Sequence, residues 1–414
     1  MRLMPSAGRL LNLYDKIWEK NMNVCRTSNF ATGRQELLLR AAVSKGQAAA
    51  DAWQEWSRTA DIEKDVDRGS FRLLPLLYVN LQQMGIDDPL MGRLKGIYRQ
   101  SWSRNQTLFH DMAKVVDNLQ SSGIETMLLK GAALSLLYYK NNGARPMADI
   151  DVLIPRAKAR LAHDLLIAAC WVPTPAFNEG LLEYDHSVHF TNPHGQEFDL
   201  HWRLFHGCCQ DEENDFWDGA VPVKIAGVAA LAPNPTDMLF HAIIHGVVWN
   251  PEPPIRWVAD AMSLIHSPDV EIDWTRLVAL AKKYRVGLRL KKGMEYLCTR
   301  FQTEIPQAVM ETVRHLPVTY LEKMEYRFLM TPLDIRRNRP YNTFCYHLFV
   351  YRRLTSKNRW FSPGGFAGYL KWVMHAGSLT ALLYRLVHRG VHLIKSVLLK
   401  GVAENDNRKH GAFS

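Results

Sequence analysis

Two aspartates separated by one residue are the first groups in this chain whose spacing could do chemistry. Asp149 and Asp151 fall in residues 147–154, where polar and apolar side chains alternate as in a strand with one exposed face. Side chains two apart on a strand leave the same face, and two carboxylates that close repel each other unless a cation lies between them. The alternative for such a pair is an exposed strand face neutralised by Lys or Arg.

A third aspartate extends the pattern. Asp199 lies in the segment QEFDLHW, which we interpret as a neighbouring strand. Three carboxylates from two strands supply hard oxygen ligands suited to Mg²⁺, with Mn²⁺ as the alternative. Two such ions about 3.5–4 Å apart stabilise the attacking and leaving oxygens of phosphoryl or nucleotidyl transfer. We therefore predict Asp149, Asp151 and Asp199 as metal-binding and catalytic residues.

Other polar side chains should surround these aspartates. On the strand through Asp199, Glu197 and His201 point the same way, so both are candidates to contact the metal ligands. His201 could also accept a proton, and the alternative for it is a structural role in the sheet. His186 and His189 should lie on opposite faces of one strand, so at most one of them faces the site.

A lysine and a glycine precede the aspartates. Lys130 and Gly131 stand between an apolar run at residues 124–129, which suits a strand, and the segment AALSLLYYK, which suits a helix. A glycine lets the backbone approach a phosphate, and a helix N-terminus presents free N–H groups to it. This turn is therefore a candidate phosphate-binding element.

Hydrophobic periodicity predicts the helical and strand-containing regions that position these residues. It predicts an N-terminal helical region at residues 1–122, an α/β core at residues 123–232, a helical domain at residues 233–330 and a basic helical region at residues 331–414. We therefore expect an α+β fold in which a small mixed β-sheet core is framed by N-terminal and C-terminal helical regions.

Within the core, turn signals predict how the strands are connected. HSVHFT and QEFDLHW should form an antiparallel pair joined by residues 192–195, whose sequence is Asn-Pro-His-Gly. One further strand is expected at residues 221–228.

The composition excludes several classes of protein. No segment offers the roughly 18 uncharged apolar residues that a membrane-spanning helix needs. The six cysteines are scattered, with one adjacent pair and no Cys-x-x-Cys motif, which argues against a disulfide framework and a thiolate zinc site. We expect a cytoplasmic protein with reduced thiols.

Positive charge is concentrated near the C-terminal end of the chain. Residues 331–414 carry 14 Lys and Arg against 3 Asp and Glu, whereas the whole chain has 51 against 41. No basic and aromatic nucleic-acid-binding motif accompanies this charge, so no specific nucleic acid is expected. Residues 379–400 place apolar and basic side chains on opposite sides of a helix. This pattern predicts either packing on the protein or peripheral contact with an anionic membrane at its inner face.

Four segments together resemble a known family. LLKGAALSLLYY, RPMADIDVLIP, FDLHW and IRWVAD, all within residues 73–297, resemble an uncharacterised bacterial nucleotidyltransferase family of the polymerase-β-like superfamily. The resemblance implies an enzyme that transfers a nucleoside monophosphate from an NTP to a hydroxyl, with Mg²⁺ or Mn²⁺ as cofactor. The acceptor, a sugar, a metabolite or a protein, stays open. The alternative is a catalytically inactive nucleotide-binding or adaptor module that keeps the fold.

The resemblance also implies roles for single residues. The three aspartates would bind the catalytic metals, and Asp199 would assist deprotonation of the acceptor hydroxyl. Gly131 would lie under the triphosphate, Lys130 would neutralise the leaving pyrophosphate, and Arg145 would bind a phosphate oxygen. The alternatives are a solvent-exposed lysine and a surface salt bridge for the arginine. The superfamily usually has Ser or Gly after the glycine, and Ala132 at that position lacks the serine hydroxyl that can help to hold phosphate.

Overall fold

A mixed β-sheet lies at the centre of the part of the chain that the structure, a computed structural model, describes. That part comprises residues 30–207, 214–248, 255–332, 340–355, 362–385 and 387–388. Its strands are β1 (Met127–Leu128), β2 (Asp149–Leu153), β3 (Val172–Thr174), β4 (Ser187–Thr191), β5 (Glu197–His201), β6 (Val221–Ile225) and β7 (Val228–Ala232). Their order in the sheet is β3-β4-β5-β2-β1-β7-β6.

The sheet is mixed because its two central pairings differ in direction. β2 runs parallel to β5 and antiparallel to β1, while β1 runs parallel to β7. β4 and β5 form the expected antiparallel hairpin across residues 192–195. The prediction of one strand at residues 221–228 is wrong, because β6 and β7 form a hairpin that reverses at Ala226 and Gly227. Both residues adopt positive φ, 45° and 92°, which suits a two-residue turn.

Helices precede and interrupt the sheet. α5 packs across β2, β6 and β7, so it covers the face of the sheet to which the apolar side chains of β2 point. The helices up to β6 are α1 (Gly33–Val43), α2 (Gly46–Thr59), α3 (Arg68–Phe71), α4 (Leu74–Gln83), α5 (Met91–Ser121), α6 (Lys130–Leu134), α7 (Ala159–Ala168), α8 (Glu179–Tyr184) and α9 (Asn214–Asp218). A π-helical turn, Ser135–Tyr139, extends α6.

A second group of helices follows the sheet. α10 begins with an Asn234 side-chain cap followed by proline, and it contacts α6 as well as the next three helices. These helices are α10 (Pro235–Gly246), α11 (Arg256–Ile265), α12 (Trp274–Lys283), α13 (Gly287–Phe301), α14 (Gln307–Arg314), α15 (Tyr320–Leu329), α16 (Pro340–Leu354) and α17 (Pro363–Val373). The α+β fold with helical regions on both sides of a mixed sheet is confirmed.

One hydrophobic core joins the sheet to the helices before and after it. Its buried members extend along the chain from Leu38 to Met330. A separate buried cluster, which includes Val350 and Tyr369, lies between α16 and α17. The boundaries after residues 122, 232 and 330 stay a prediction.

No helix in the described part of the chain is both long enough and apolar enough to cross a membrane. The predicted amphipathic helix at residues 379–400 lies mostly outside the described residues. Within its described part, Leu379, Leu383, Tyr384 and Val387 are exposed, while Leu382 is buried.

The contact between α10 and α13 gives a test of this packing. A Cβ added to Gly293 would overlap the Ile243 side chain, whereas one added to Gly96 in α5 would meet open space. We expect Gly293→Ala to lower the free energy of unfolding by about 1–3 kcal/mol through overpacking. Gly96→Ala should raise it by about 0.5–1 kcal/mol through helix propensity. Urea unfolding followed by circular dichroism measures both, and equal stability of the two variants would contradict the described packing.

Candidate active site

The parallel pairing of β2 with β5 brings the predicted carboxylates together. Asp151 is the register partner of Asp199, and Asp149 is the register partner of Glu197. One ligand atom from each of Asp151, Asp199 and His201 lies within 4.8 Å of the other two. Two predicted metal ligands therefore lie side by side on one face of adjacent strands, and Asp149 precedes them on the same face of β2.

Asp151 is buried between two positively polarised groups. Its Oδ1 accepts hydrogen bonds from Lys130 Nζ at 2.6 Å and from His201 Nε2 at 2.9 Å. Burial by itself would raise the pKa of Asp151, but the Lys130 charge and the His201 hydrogen bond hold that pKa well below its usual range. The carboxylate is therefore ionised at neutral pH. The predicted neighbour His201 is a direct partner of a predicted metal ligand.

Asp149 has the opposite electrostatic environment. Its pKa is raised by burial and by the charges of Asp151 and Asp199, and only partly lowered by Lys130. Negative charge is thus in excess at this end of β2, and a cation bound to these carboxylates would relieve the repulsion. The oxygen donors and their close spacing fit a hard divalent ion such as Mg²⁺.

Asp199 has a histidine partner for which sequence reasoning assigned no role. His189 is opposite Asp199 in the β4–β5 register, and its Nδ1 lies 2.7 Å from Asp199 Oδ1. The sequence could have predicted this contact, because a hairpin loop centred on residue 194 places position 189 opposite position 199. His186 precedes β4, and its ring contacts that of His201 edge-on, with centroids 5.3 Å apart.

Arg145 forms a buried ion pair within the protein. Its Nε and Nη2 each donate to the Asp260 carboxylate at 2.8 Å, and Tyr139 donates to the same carboxylate at 2.9 Å. The Arg145 guanidinium, which was expected to bind a phosphate oxygen, thus binds an aspartate of the IRWVAD segment instead. A Cβ on Gly131 would overlap Arg145 Nη1, so a larger residue at this position would displace the paired guanidinium.

A cavity of about 450 Å³ borders these groups. Asp149, Asp151 and Glu197 line it on the strand side, and Glu197 is exposed. The cationic side chains around it are Lys130, Arg145, Arg72 and Arg256. Sequence reasoning missed the last two, although Arg256 stands in the quoted IRWVAD segment. Burial, then the nearby Arg145 charge, lowers the pKa of Arg256 to about 10, so its guanidinium is still charged at neutral pH.

Comparison with known families assigns the chain. A family model described as "Uncharacterised nucleotidyltransferase" matches residues 70–302, more than half of the sequence. The chain belongs to this family. It is therefore a transferase that carries out nucleotidyl transfer, and the nucleotidyltransferase family predicted from the four segments is confirmed, while its bacterial origin stays a prediction. Membership favours the enzyme over the inactive module. No curated protein matches the chain.

Two solved structures are similar to about half of the chain. An antigenic nucleotidyltransferase-like protein from Paracoccidioides brasiliensis has 17% sequence identity and a TM-score of 0.31, over 49% of this chain and 96% of that protein. The antibiotic-resistance factor ANT(2'')-Ia has 14% identity and a TM-score of 0.32, over 47% of this chain and 98% of that protein.

The buried Arg145–Asp260 pair gives a test of how the site is supported. Asp260→Asn leaves the Arg145 charge buried without its counter-ion, so we expect the free energy of unfolding to fall by about 3–5 kcal/mol. Asp269→Asn removes the carboxylate of an exposed pair with Lys140 and should leave the unfolding midpoint unchanged. Thermal unfolding of the two variants beside the wild type measures this difference. A midpoint of Asp260→Asn close to that of the wild type would show that the pair contributes little.

Proposed function

We propose that this enzyme transfers a nucleoside monophosphate from an NTP to a hydroxyl of a small or macromolecular acceptor, with Mg²⁺ or Mn²⁺ as cofactor. The observation that carries this proposal is the pairing of Asp151 with Asp199 across β2 and β5, with Asp149 on the same face. A cavity lined by cationic side chains lies beside Asp149 and Asp151, as a triphosphate would require.

Asp149, Asp151 and Asp199 are the residues proposed to hold the metal. Both described hydrogen bonds to Asp151 end on Oδ1, which leaves Oδ2 for an ion. Metal bound there would polarise the α-phosphate and neutralise charge on the triphosphate. His201 holds the Asp151 carboxylate in place from the strand side, and exposed Glu197 borders the entrance to the cavity.

Asp199 is proposed as the group that takes the proton from the acceptor hydroxyl. Its side chain is 23% exposed, and the ring of His189, bonded to the same carboxylate, is 37% exposed. Both groups are therefore accessible to an acceptor and to water. Asp199 would receive the proton as the oxygen attacks the α-phosphorus, and His189 would pass it to solvent.

The cationic side chains divide between support and substrate binding. Both Arg145 hydrogen bonds go to Asp260, and the guanidinium packs against Gly131 at the cavity. We therefore propose that Arg145 positions the phosphate-binding turn, and that its charge also lies near the bound phosphate. Lys130 Nζ stands at the cavity next to Asp151, where it can neutralise charge on the leaving pyrophosphate. Arg72 and Arg256 are added as triphosphate-binding residues.

The experiment compares two aspartate variants in a transfer assay. The full-length protein is incubated with each labelled NTP, Mg²⁺ or Mn²⁺ and cell extract, and label transfer and pyrophosphate release are measured. Asp149→Asn should reduce transfer by about 100-fold or more, since it removes charge from the metal site and no core volume. Asp164→Asn, an exposed position on α7, is the matched control and should transfer label at the wild-type rate. Wild-type transfer by Asp149→Asn would refute the proposed metal site.

We also propose peripheral membrane contact through residues 379–400. The described start of this segment exposes Leu379, Leu383, Tyr384 and Val387, and basic residues follow in the sequence. Each Lys or Arg near an anionic surface contributes about 1 kcal/mol, which together with a few inserted apolar side chains supports reversible attachment.

Liposome flotation tests this contact. The full-length protein should float with anionic vesicles at low salt and remain unbound with neutral vesicles. Leu379→Ser combined with Leu383→Ser should reduce flotation, because it removes apolar surface while keeping the charge. If the full-length protein does not float with anionic vesicles, the proposed contact is excluded.

A further inference from the structure

A second cluster of metal-ligand side chains lies outside the proposed active site. It consists of Asp185, His186 and His206, from each of which one ligand atom lies within 4.8 Å of the other two. Asp185 Oδ1 is 2.7 Å from His186 Nδ1 and 3.4 Å from His206 Nδ1. Each of the three side chains is between a quarter and a third exposed, so an ion can reach them from solvent.

We propose that Asp185, His186 and His206 form a transition-metal site of the zinc type, with an open coordination position facing the neighbouring cavity. Two imidazole nitrogens and one carboxylate oxygen are typical ligands of Zn²⁺ and similar ions. Mg²⁺ instead prefers oxygen ligands, which are the groups that Asp149, Asp151 and Asp199 offer. The two clusters therefore select different metals, and this proposal does not depend on the mechanism of nucleotidyl transfer.

The backbone that carries the cluster is held in place by buried donors. The Trp202 indole donates to the backbone carbonyl of Asp185 at 2.9 Å, and the buried Arg203 guanidinium donates to the same carbonyl. Arg203 also donates to the carbonyl of Glu183 at 3.0 Å. These contacts fix the chain just before β4 against the end of β5. Such anchoring preorganises ligand side chains.

The histidine rings are oriented by one another. The His186 ring meets the His206 ring edge-on with centroids 6.0 Å apart, and it also meets the His201 ring edge-on. A metal bound to Asp185 and His186 would replace the hydrogen bond that now joins their side chains.

The open position would face a cavity of about 850 Å³ that Asp185 and His206 line. Three protein ligands and one free position are typical of zinc sites that bind a further molecule through an oxygen atom. The opposite wall of the cavity belongs to α16, α17 and the turn after α17. Its aromatic and basic lining includes Tyr346, His347, Tyr369, Lys371, Trp372 and His375. The ligand class that fits this environment is an oxygen donor with an apolar or ring-shaped body.

Cobalt substitution tests the site in the full-length protein. The protein is treated with a chelator and titrated with Co²⁺ in excess Mg²⁺, which would compete for the proposed carboxylate site. We expect one equivalent of Co²⁺ to bind with the visible absorption of a low-coordinate ion. His206→Asn should weaken Co²⁺ binding by at least about 10-fold. His347→Asn is the matched control, because His347 lines the same cavity but bonds Tyr369 at 3.1 Å, and it should bind Co²⁺ as the wild type does.

Further variants distinguish the two metal sites. His186→Asn should weaken Co²⁺ binding as His206→Asn does, while Asp199→Asn should leave the absorption unchanged. Equal affinity and spectrum in wild type, His186→Asn and His206→Asn would overturn the proposal. Loss of the absorption in Asp199→Asn alone would also overturn it, by assigning the ion to the carboxylate cluster. The label-transfer assay is scored separately, so failure of this proposal leaves the nucleotidyl-transfer proposal unaffected.

Discussion

Electrostatic repulsion between Asp151 and Asp199 is the constraint around which the surrounding structure is arranged. Their parallel strands hold them in register, so the chain cannot separate the two charges without breaking the centre of the sheet. Lys130 and His201 stabilise the first carboxylate, and His189 stabilises the second. Each of these partners comes from an element adjacent to β2 or β5. The remaining excess of negative charge, felt by Asp149, is what makes the face suited to a divalent cation.

The helical region after the sheet contributes residues to the candidate site. Arg145 precedes β2, yet its ion pair is with Asp260 on α11, 115 residues later. Because a buried charge is costly without its partner, this pair ties the position of α11 to the floor of the cavity. The same segment brings Arg256 to the cavity wall. The family match, which extends through residue 302, includes the sheet and these helices together.

The two clusters of ligand side chains share structural support but differ in chemistry. β5 carries Asp199 and His201, and the two residues after it hold the carbonyl of Asp185. The His186 and His201 rings are in contact, so the nitrogen-rich cluster and the carboxylate cluster are neighbours across one strand end. The proposed carboxylate site would favour a hard ion such as Mg²⁺, whereas the imidazoles of the other cluster would favour a transition metal.

The sequence by itself determined the features that contiguous residues encode. Alternation over residues 147–154 placed Asp149 and Asp151 on one face, turn residues joined β4 to β5, and the motifs identified the family. It did not reveal the β6–β7 turn, because positive φ at Ala226 has no local signal. The tertiary structure alone decided that β5 runs parallel to β2 with Asp199 in register with Asp151, that Arg145 binds Asp260 and that Arg72 and Arg256 reach the cavity. Such contacts join residues that are far apart in the chain. They depend on strand register and on packing, and local periodicity contains no information about either.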